Sequence, residues 1–472
     1  MGEFKKFAKN TGIYFMGNVL LKIVTFFMLP IYTKYINPTD YGTYDLTVVY
    51  ITFLTAIIFV EIWSAIMRYM FDYKNDDEKK KPILSGIVIF CCSTVLFTIA
   101  VIICNYIFDI RYLNLIYLYG ITMNLQNLFG FIARGSQKNL LYAVSGLIGS
   151  VVSILLNIVL IVFLKFDYSA LYISSIVGSV LSSVIIVFGI KEIFKITNKY
   201  YDRNITISML KFSLPLSINS VVFWFLTSYN KIVISNKLSL ADNGLYAIAG
   251  KFSAALTIFT SCFQMAWQEL SFSKGNDDKE EKDRFYSRAI NLYIKFLGMG
   301  VIILIPLIYL IFPFVIDSSY SEAKNMVPLY MIATIASTIS SFLGSVFGSL
   351  KKTKTIFTTT LFGSIVNVIT LHMLINVVGI QASSVALFCG FMAICIARVV
   401  KIKKYIDIKV NKKLFIFLIL GCILASCIYI YSNTIVNIIF LFISMGIFIL
   451  CFKEEIKMII CKFKAKLLKG GN

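Results

Sequence analysis

Long apolar runs, each broken by a few polar residues, set the rhythm of this sequence. A helix needs about 20 apolar residues to cross the hydrocarbon core of a bilayer. Fourteen runs meet that length as candidate spans: 11–33, 42–70, 83–108, 112–132, 140–164, 168–190, 211–235, 243–272, 288–316, 322–349, 356–376, 380–401, 412–432 and 435–452. The stretch from Ser213 to Ser271 shows the pattern most clearly. It predicts two spans joined by a short polar turn, Asn236 to Asp242, so the second must return beside the first. Between the sixth and seventh runs, apolar residues alternate with lysines at near-helical spacing over 191–211, which predicts an amphipathic helix lying on the inner membrane face.

The pattern repeats. INPTDYGTYDL (36–46) matches LSLADNGLYAI (238–248), FVEIW (59–63) matches FQMAW (263–267), and LIGSVV (147–152) matches LFGSIV (361–366), in the same order and at similar offsets. A duplication is the simplest account. The first repeat holds six spans, an even number, so both halves start from the same side and form parallel repeats. The expected architecture is an all-α polytopic membrane protein. It has a six-helix bundle with its linker over 1–205, a second six-helix bundle over 206–405, and two extra helices with a basic tail over 406–472.

Composition narrows the class. Hydrophobic residues make up 58% of the chain and mean hydropathy is +0.82, which excludes a soluble domain of this length. The net charge of +21 suggests nucleic acid until the charges are placed. With the N-terminus in the cytoplasm, 36 of the 45 Lys and Arg residues fall on inner segments or at the inner ends of spans, 5 on outer turns and 4 deeper within spans. That is the positive-inside distribution, with both termini cytoplasmic and no nucleic-acid partner. The ten cysteines lie in or beside spans without metal-ligand spacing, so no metal site is expected. Lys5, Lys6 and Lys9 precede an apolar run that lacks a small-residue cleavage site, so the run stays as a span.

Candidate chemistry is confined to polar residues inside the spans. There is no phosphate-cradling glycine loop, and the single histidine, His372, reads as a packing residue. The outer turns are too short to hold a catalytic domain, so no enzyme activity and no cofactor are expected. Lys22, Lys231 and Lys251 lie at middle or outer depth; unpartnered, they would cost roughly 8–10 kcal/mol to bury. A hydrated cavity between the halves would remove most of that cost and would favour an anionic cargo. Lys22 reads as lumen-facing, with a structural ion pair as the alternative. Arg68 either lines an inner vestibule or snorkels to the cytoplasm. Glu61 and Glu269 would hold a coupling proton or sodium ion, or neutralise the cations. Asn124, Gln126 and Asn127 would bond neighbouring helices or contact sugar hydroxyls.

The chain resembles the Wzx-type lipid-linked oligosaccharide flippases (O-antigen and capsule repeat-unit translocases) of the multidrug/oligosaccharidyl-lipid/polysaccharide exporter superfamily. The resemblance rests on Asn37-Pro38, Tyr41-Gly42-Thr43-Tyr44, Leu214-Pro215, Tyr229-Asn230-Lys231, Asn243-Gly244-Leu245-Tyr246, Ala266-Trp267 and Lys352-Thr353-Lys354. Many relatives carry Asp-Arg where this chain has Asn230-Lys231, so the cation is kept and the acid is lost. The resemblance implies fourteen helices and alternating access. It also implies transfer of an undecaprenyl-diphosphate-linked oligosaccharide from the inner to the outer leaflet of a bacterial cytoplasmic membrane, driven by an ion gradient. A cationic cavity of Lys22, Arg68, Asn230, Lys231 and Lys251 would hold the substrate. Membrane lipids, a polysaccharide polymerase and chain-length machinery would be the partners. The alternatives are a cation-coupled multidrug or small-molecule antiporter on the same fold, whose cavity should be acidic, and a membrane enzyme of cell-envelope assembly.

Overall fold

The computed structural model describes residues 26–73, 75–273, 279–350 and 352–453. Among them are sixteen α-helices and no strand. They are α1 Leu29–Tyr35, α2 Pro38–Ile58, α3 Ile62–Met70, α4 Lys80–Phe108, α5 Leu113–Gly135, α6 Asn139–Ile158, α7 Ser169–Gly189 and α8 Arg203–Thr227. The chain continues with α9 Tyr229–Lys237, α10 Leu240–Ser273, α11 Lys279–Val315, α12 Val327–Ser349, α13 Thr353–Val378, α14 Gln381–Ile402, α15 Lys412–Tyr431 and α16 Thr434–Cys451. Among the described residues, twelve helical segments are long and apolar enough to cross a membrane. Among them, the 33-residue segment Asp283–Val315 of α11 is about 50 Å long at 1.5 Å per residue, ample for a crossing. The protein is a multi-pass, all-α membrane protein. Most of the first expected span lies outside the described residues.

Polar caps fix where the helices begin. Asn37 Oδ1 accepts the Asp40 amide at 2.8 Å, with Pro38 in the first turn of α2. Asp202 accepts the Asn204 and Ile205 amides at 2.8 and 3.2 Å to start α8. Asn411 and Asn433 do the same for α15 and α16. The Asp202 cap also explains why the expected amphipathic helix over 191–211 does not form. The segment instead makes two short 3-10 turns, Lys191–Lys195 and Asn198–Tyr200, and residues from Arg203 onward already belong to α8.

Two expected spans are broken. The run 42–70 divides into α2 and α3 because Val60 and Glu61 both adopt left-handed backbone, with φ of 46° and 54°. Such conformations cost roughly 1–3 kcal/mol each outside glycine. The cost is offset where Phe59 and Ile62, on either side, are fully buried against Phe90, Phe97 and Ile66. The run 211–235 divides at Ser228 into α8 and α9.

Helices α2 to α7 pack among themselves, as do α8 to α14, while α15 and α16 lie against α11. Across these groups, α2 packs along α10 and α8. Connections alternate between two faces of the bundle. One face carries the lysine-rich segments 71–81, 190–203 and 403–413 and is called the basic face; the other holds the short turns around Asn37 and Leu238. On the basic face, the extended segment 406–411 is strapped to the start of α11. The amides of Asp407, Lys409 and Asn411 donate to Asp283, Ser287 and Asn291, at 2.8, 2.9 and 2.8 Å. Two extended residues advance about 6.6 Å and four helical residues 6.0 Å, so every second amide meets every fourth helical side chain.

Candidate functional site

The two repeat-related segments meet at the face opposite the basic one. Pro38–Tyr44 opens α2, and its counterpart Leu240–Tyr246 opens α10. Gly42 lies against the Leu240 carbonyl and Gly244 against the Pro38 carbonyl, so close that a Cβ on either would overlap backbone of the other helix. The contact is reciprocal because the glycines are equivalent positions of the duplication. Glycine is required here for close approach.

The ion pair beside this contact is not reciprocal. Lys231 Nζ on α9 lies 2.9 Å from Asp45 Oδ1 and 2.8 Å from Oδ2 on α2. The lysine and aspartate side chains are only 20% and 16% exposed. At the symmetry-related position stand Ala247 and Leu29, both apolar. The buried Asn243 amide donates to the Gly42 carbonyl at 2.9 Å. Tyr320 Oη donates to the Ile36 carbonyl at 2.8 Å, and the Asp317 amide to Thr33 Oγ1 at 3.2 Å. These contacts close the bundle at this face.

Below the closure is a cavity of about 330 Å³. Tyr32, Tyr41, Tyr44 and Tyr119 form one wall, and Gln126, Asn157, Ser150, Ser153, Ser175 and Ser179 line the rest. Lys251 on α10 reaches the same cavity and is, among the described residues, the one charged residue in its lining. Among the described residues, no carboxylate lies within ion-pairing distance of Lys251. Asn157 Nδ2 donates to Tyr32 Oη at 3.1 Å and its Oδ1 accepts from Ser174 at 2.8 Å. Ser179 donates to Gln126 Oε1 at 2.9 Å, leaving the Gln126 amino group as a donor toward the cavity. Gly149 and Gly178, in close backbone contact where α6 crosses α7, also line it.

The expected cationic cluster is therefore dispersed. Lys231 is neutralised by Asp45. Asn230 is fully buried among α9, α13 and α14: its Nδ2 donates to the Ser383 carbonyl and its Oδ1 accepts from Asn367, both at 2.9 Å. It is a packing residue. Arg68 is exposed at the end of α3 and pairs with Asp72 one turn on, which is the boundary geometry. Lys22 and the side chain of Glu269 lie outside the described residues. Only Lys251 reaches the cavity.

Glu61 stands at the break between α2 and α3. Its carboxylate accepts from Trp63 Nε1 and from Ser220 Oγ on α8, both at 2.8 Å, and from Ser64 Oγ at 3.4 Å. Among the described residues it has no cationic partner. Asn124 donates to Thr55 and the Gly120 carbonyl, a packing role, while Gln126 reaches the cavity. His372 meets Tyr229 Oη at 3.0 Å.

Asp45 and the tyrosines escaped the sequence reading. The signal for Asp45 was present, because it replaces the Ala247 of the second repeat inside a span. The tyrosines recur in IYTKYINPTDYGTYDL, but nothing in the sequence brings Tyr119 to them.

Comparison with solved structures places the fold. The structure is similar to the lipid II flippase MurJ in an inward closed conformation, with a TM-score of 0.70 at 17% identity, covering 94% of this chain and 99% of that one. It is similar to an inward-facing multidrug resistance MATE family transporter at a TM-score of 0.65 and 15% identity, covering 86% and 99%. An outward-facing MATE conformation fits less well, at 0.54 and 15% identity over 89% and 96%. No curated protein sequence matches significantly. The polysaccharide biosynthesis protein family matches residues 7–267, more than half of the chain, across α2 to α10 where the closure and the cavity are built; the chain belongs to that family.

Proposed function

We propose that the protein is a flippase that moves an undecaprenyl-diphosphate-linked oligosaccharide repeat unit, of the O-antigen or capsule kind, from the inner to the outer leaflet by alternating access. The observation that carries this reading is the cavity itself. Hydroxyls, amides and tyrosine faces suit a sugar, and the Lys251 ammonium suits a diphosphate at its edge. With the basic face in the cytoplasm of a bacterium, the closure lies on the outer side and the cavity is the inward-loaded state. The better fit to inward-facing relatives supports that assignment.

Glu61 favours coupling to a proton or sodium ion. A partly buried carboxylate held by neutral donors can accept a cation without losing a salt bridge. The same observation keeps a cation-coupled antiporter as the second reading. No catalytic step, metal or organic cofactor enters either reading. Polymerase and chain-length proteins would act on the product at the outer leaflet.

The test is translocation of a fluorescent undecaprenyl-diphosphate-linked sugar in proteoliposomes, with and without an imposed proton or sodium gradient. Gradient-dependent transfer that Lys251→Ala reduces at least tenfold is the expected result. No transfer of the lipid, together with cation-gradient-dependent efflux of a cationic dye, would replace the flippase with the antiporter.

A further inference from the structure

The cavity wall carries more information than its size. At about 330 Å³ it lies at the low end of small-molecule sites, roughly 300–1,000 Å³, so it holds a sugar-sized group and not an isoprenoid chain. Among the described residues, every polar lining group apart from Lys251 is a hydroxyl or an amide. These groups come from α1, α2, α5, α6 and α7 of the first repeat, whereas the cation comes from α10 of the second. The lining thus divides one ligand into an uncharged part and an anionic part.

Tyrosine combines an apolar face with a polar tip, and four of them enclose one side. The rest of the lining offers the Gln126 amino group and the Ser153 and Ser175 hydroxyls. Hydroxyls that both donate and accept match a ring bearing several hydroxyl groups, and no carboxylate among the described lining residues selects a cationic one. The wall is fixed before any ligand arrives. Asn157 is held between Tyr32 and Ser174, and Ser179 anchors Gln126.

We infer that the first-repeat cavity is a saccharide subsite for an uncharged sugar ring, the ring next to the anionic group that Lys251 meets. This rests on the flippase reading and goes beyond it. Recognition of the sugar is assigned to first-repeat residues Tyr32, Tyr44, Tyr119, Gln126 and Ser153, and recognition of the charge to the second repeat. Gln126 and Ser153 are then specificity-determining and Lys251 is not.

The experiment compares two probes binding to the full-length protein in nanodiscs: undecaprenyl diphosphate, and undecaprenyl diphosphate carrying one N-acetylhexosamine, which is uncharged. The wild type should bind the glycosylated probe at least tenfold more tightly, since sites built to hydrogen-bond a hydroxyl reject ligands that lack it. Gln126→Ala and Ser153→Leu should bring that ratio toward one while leaving the Kd for the bare lipid within twofold. Lys251→Ala should weaken both probes by the same factor. Ser153 lies close to Gly178, so Gln126→Ala, which needs no added volume, carries the test if Ser153→Leu fails to fold. A wild-type ratio near one, or a ratio that survives Gln126→Ala, overturns the saccharide subsite and leaves the flippase reading standing. Binding of neither probe removes the flippase reading and the subsite together.

Discussion

The Asp45–Lys231 pair joins the two repeats at the closed face, and its strength sets how firmly that face stays shut. At 2.8 Å and an effective dielectric of about 20, the bare attraction is about 6 kcal/mol. Desolvation of two mostly buried charges offsets much of it, leaving a coupling of about 2–3 kcal/mol. The perturbation is a double-mutant cycle of Asp45→Asn, Lys231→Met and both together. Each single variant leaves one charge unpaired, so each should cost about 2–4 kcal/mol. The double variant should cost much less than their sum. The assay is unfolding in mixed detergent micelles followed by tryptophan fluorescence, which responds to Trp224, whose Nε1 donates to the Val49 carbonyl on α2 one turn from Asp45. A coupling of 2–3 kcal/mol corresponds to about a 30- to 150-fold shift between closed and open populations, so the singles should also open the face to water-soluble thiol reagents. Costs that add to within 0.5 kcal/mol would refute the pairing and the role given to it.

Gly42→Val or Gly244→Val should prevent closure and cut translocation at least tenfold. Gly300→Ala, which meets open space, should leave both stability and transport near wild type, with thermal unfolding as the common measure. On the basic face, hydrogen bonds from Lys80 and then Tyr200 hold the Asp77 carboxyl below its ordinary value of 3.8. A depressed pKa contributes stability above the unfolded value and loses it as pH falls through the folded one. The wild type should therefore lose more melting temperature than Asp77→Asn between pH 5 and pH 3, and equal losses would contradict the linkage. In the strap, Ser287→Ala should deprotect the Lys409 amide to hydrogen exchange and Asn291→Ala the Asn411 amide, each leaving the other protected.

The span pattern and the duplication are legible along the chain, because each is a local or periodic property. Apolar runs of membrane-crossing length and matched segments such as INPTDYGTYDL and LSLADNGLYAI are visible along one dimension, whereas the Asp202 cap starts α8 eight residues before the expected span. Lys251 and Gln126 are legible as candidates too, since a polar group in a span is expensive wherever it points. What each polar group faces depends on how the helices pack. Asn230 and Lys231 are neighbours in sequence, yet the helical turn sends one into the packed interior beside Asn367 and the other across to Asp45. The breaks at Val60–Glu61 and at Ser228 have no proline or glycine to announce them; the first is held by Trp63, Ser220 and the buried residues around Phe59. The tyrosine wall joins residues from α1, α2 and α5 whose meeting depends on how helices cross, and no periodicity encodes a crossing.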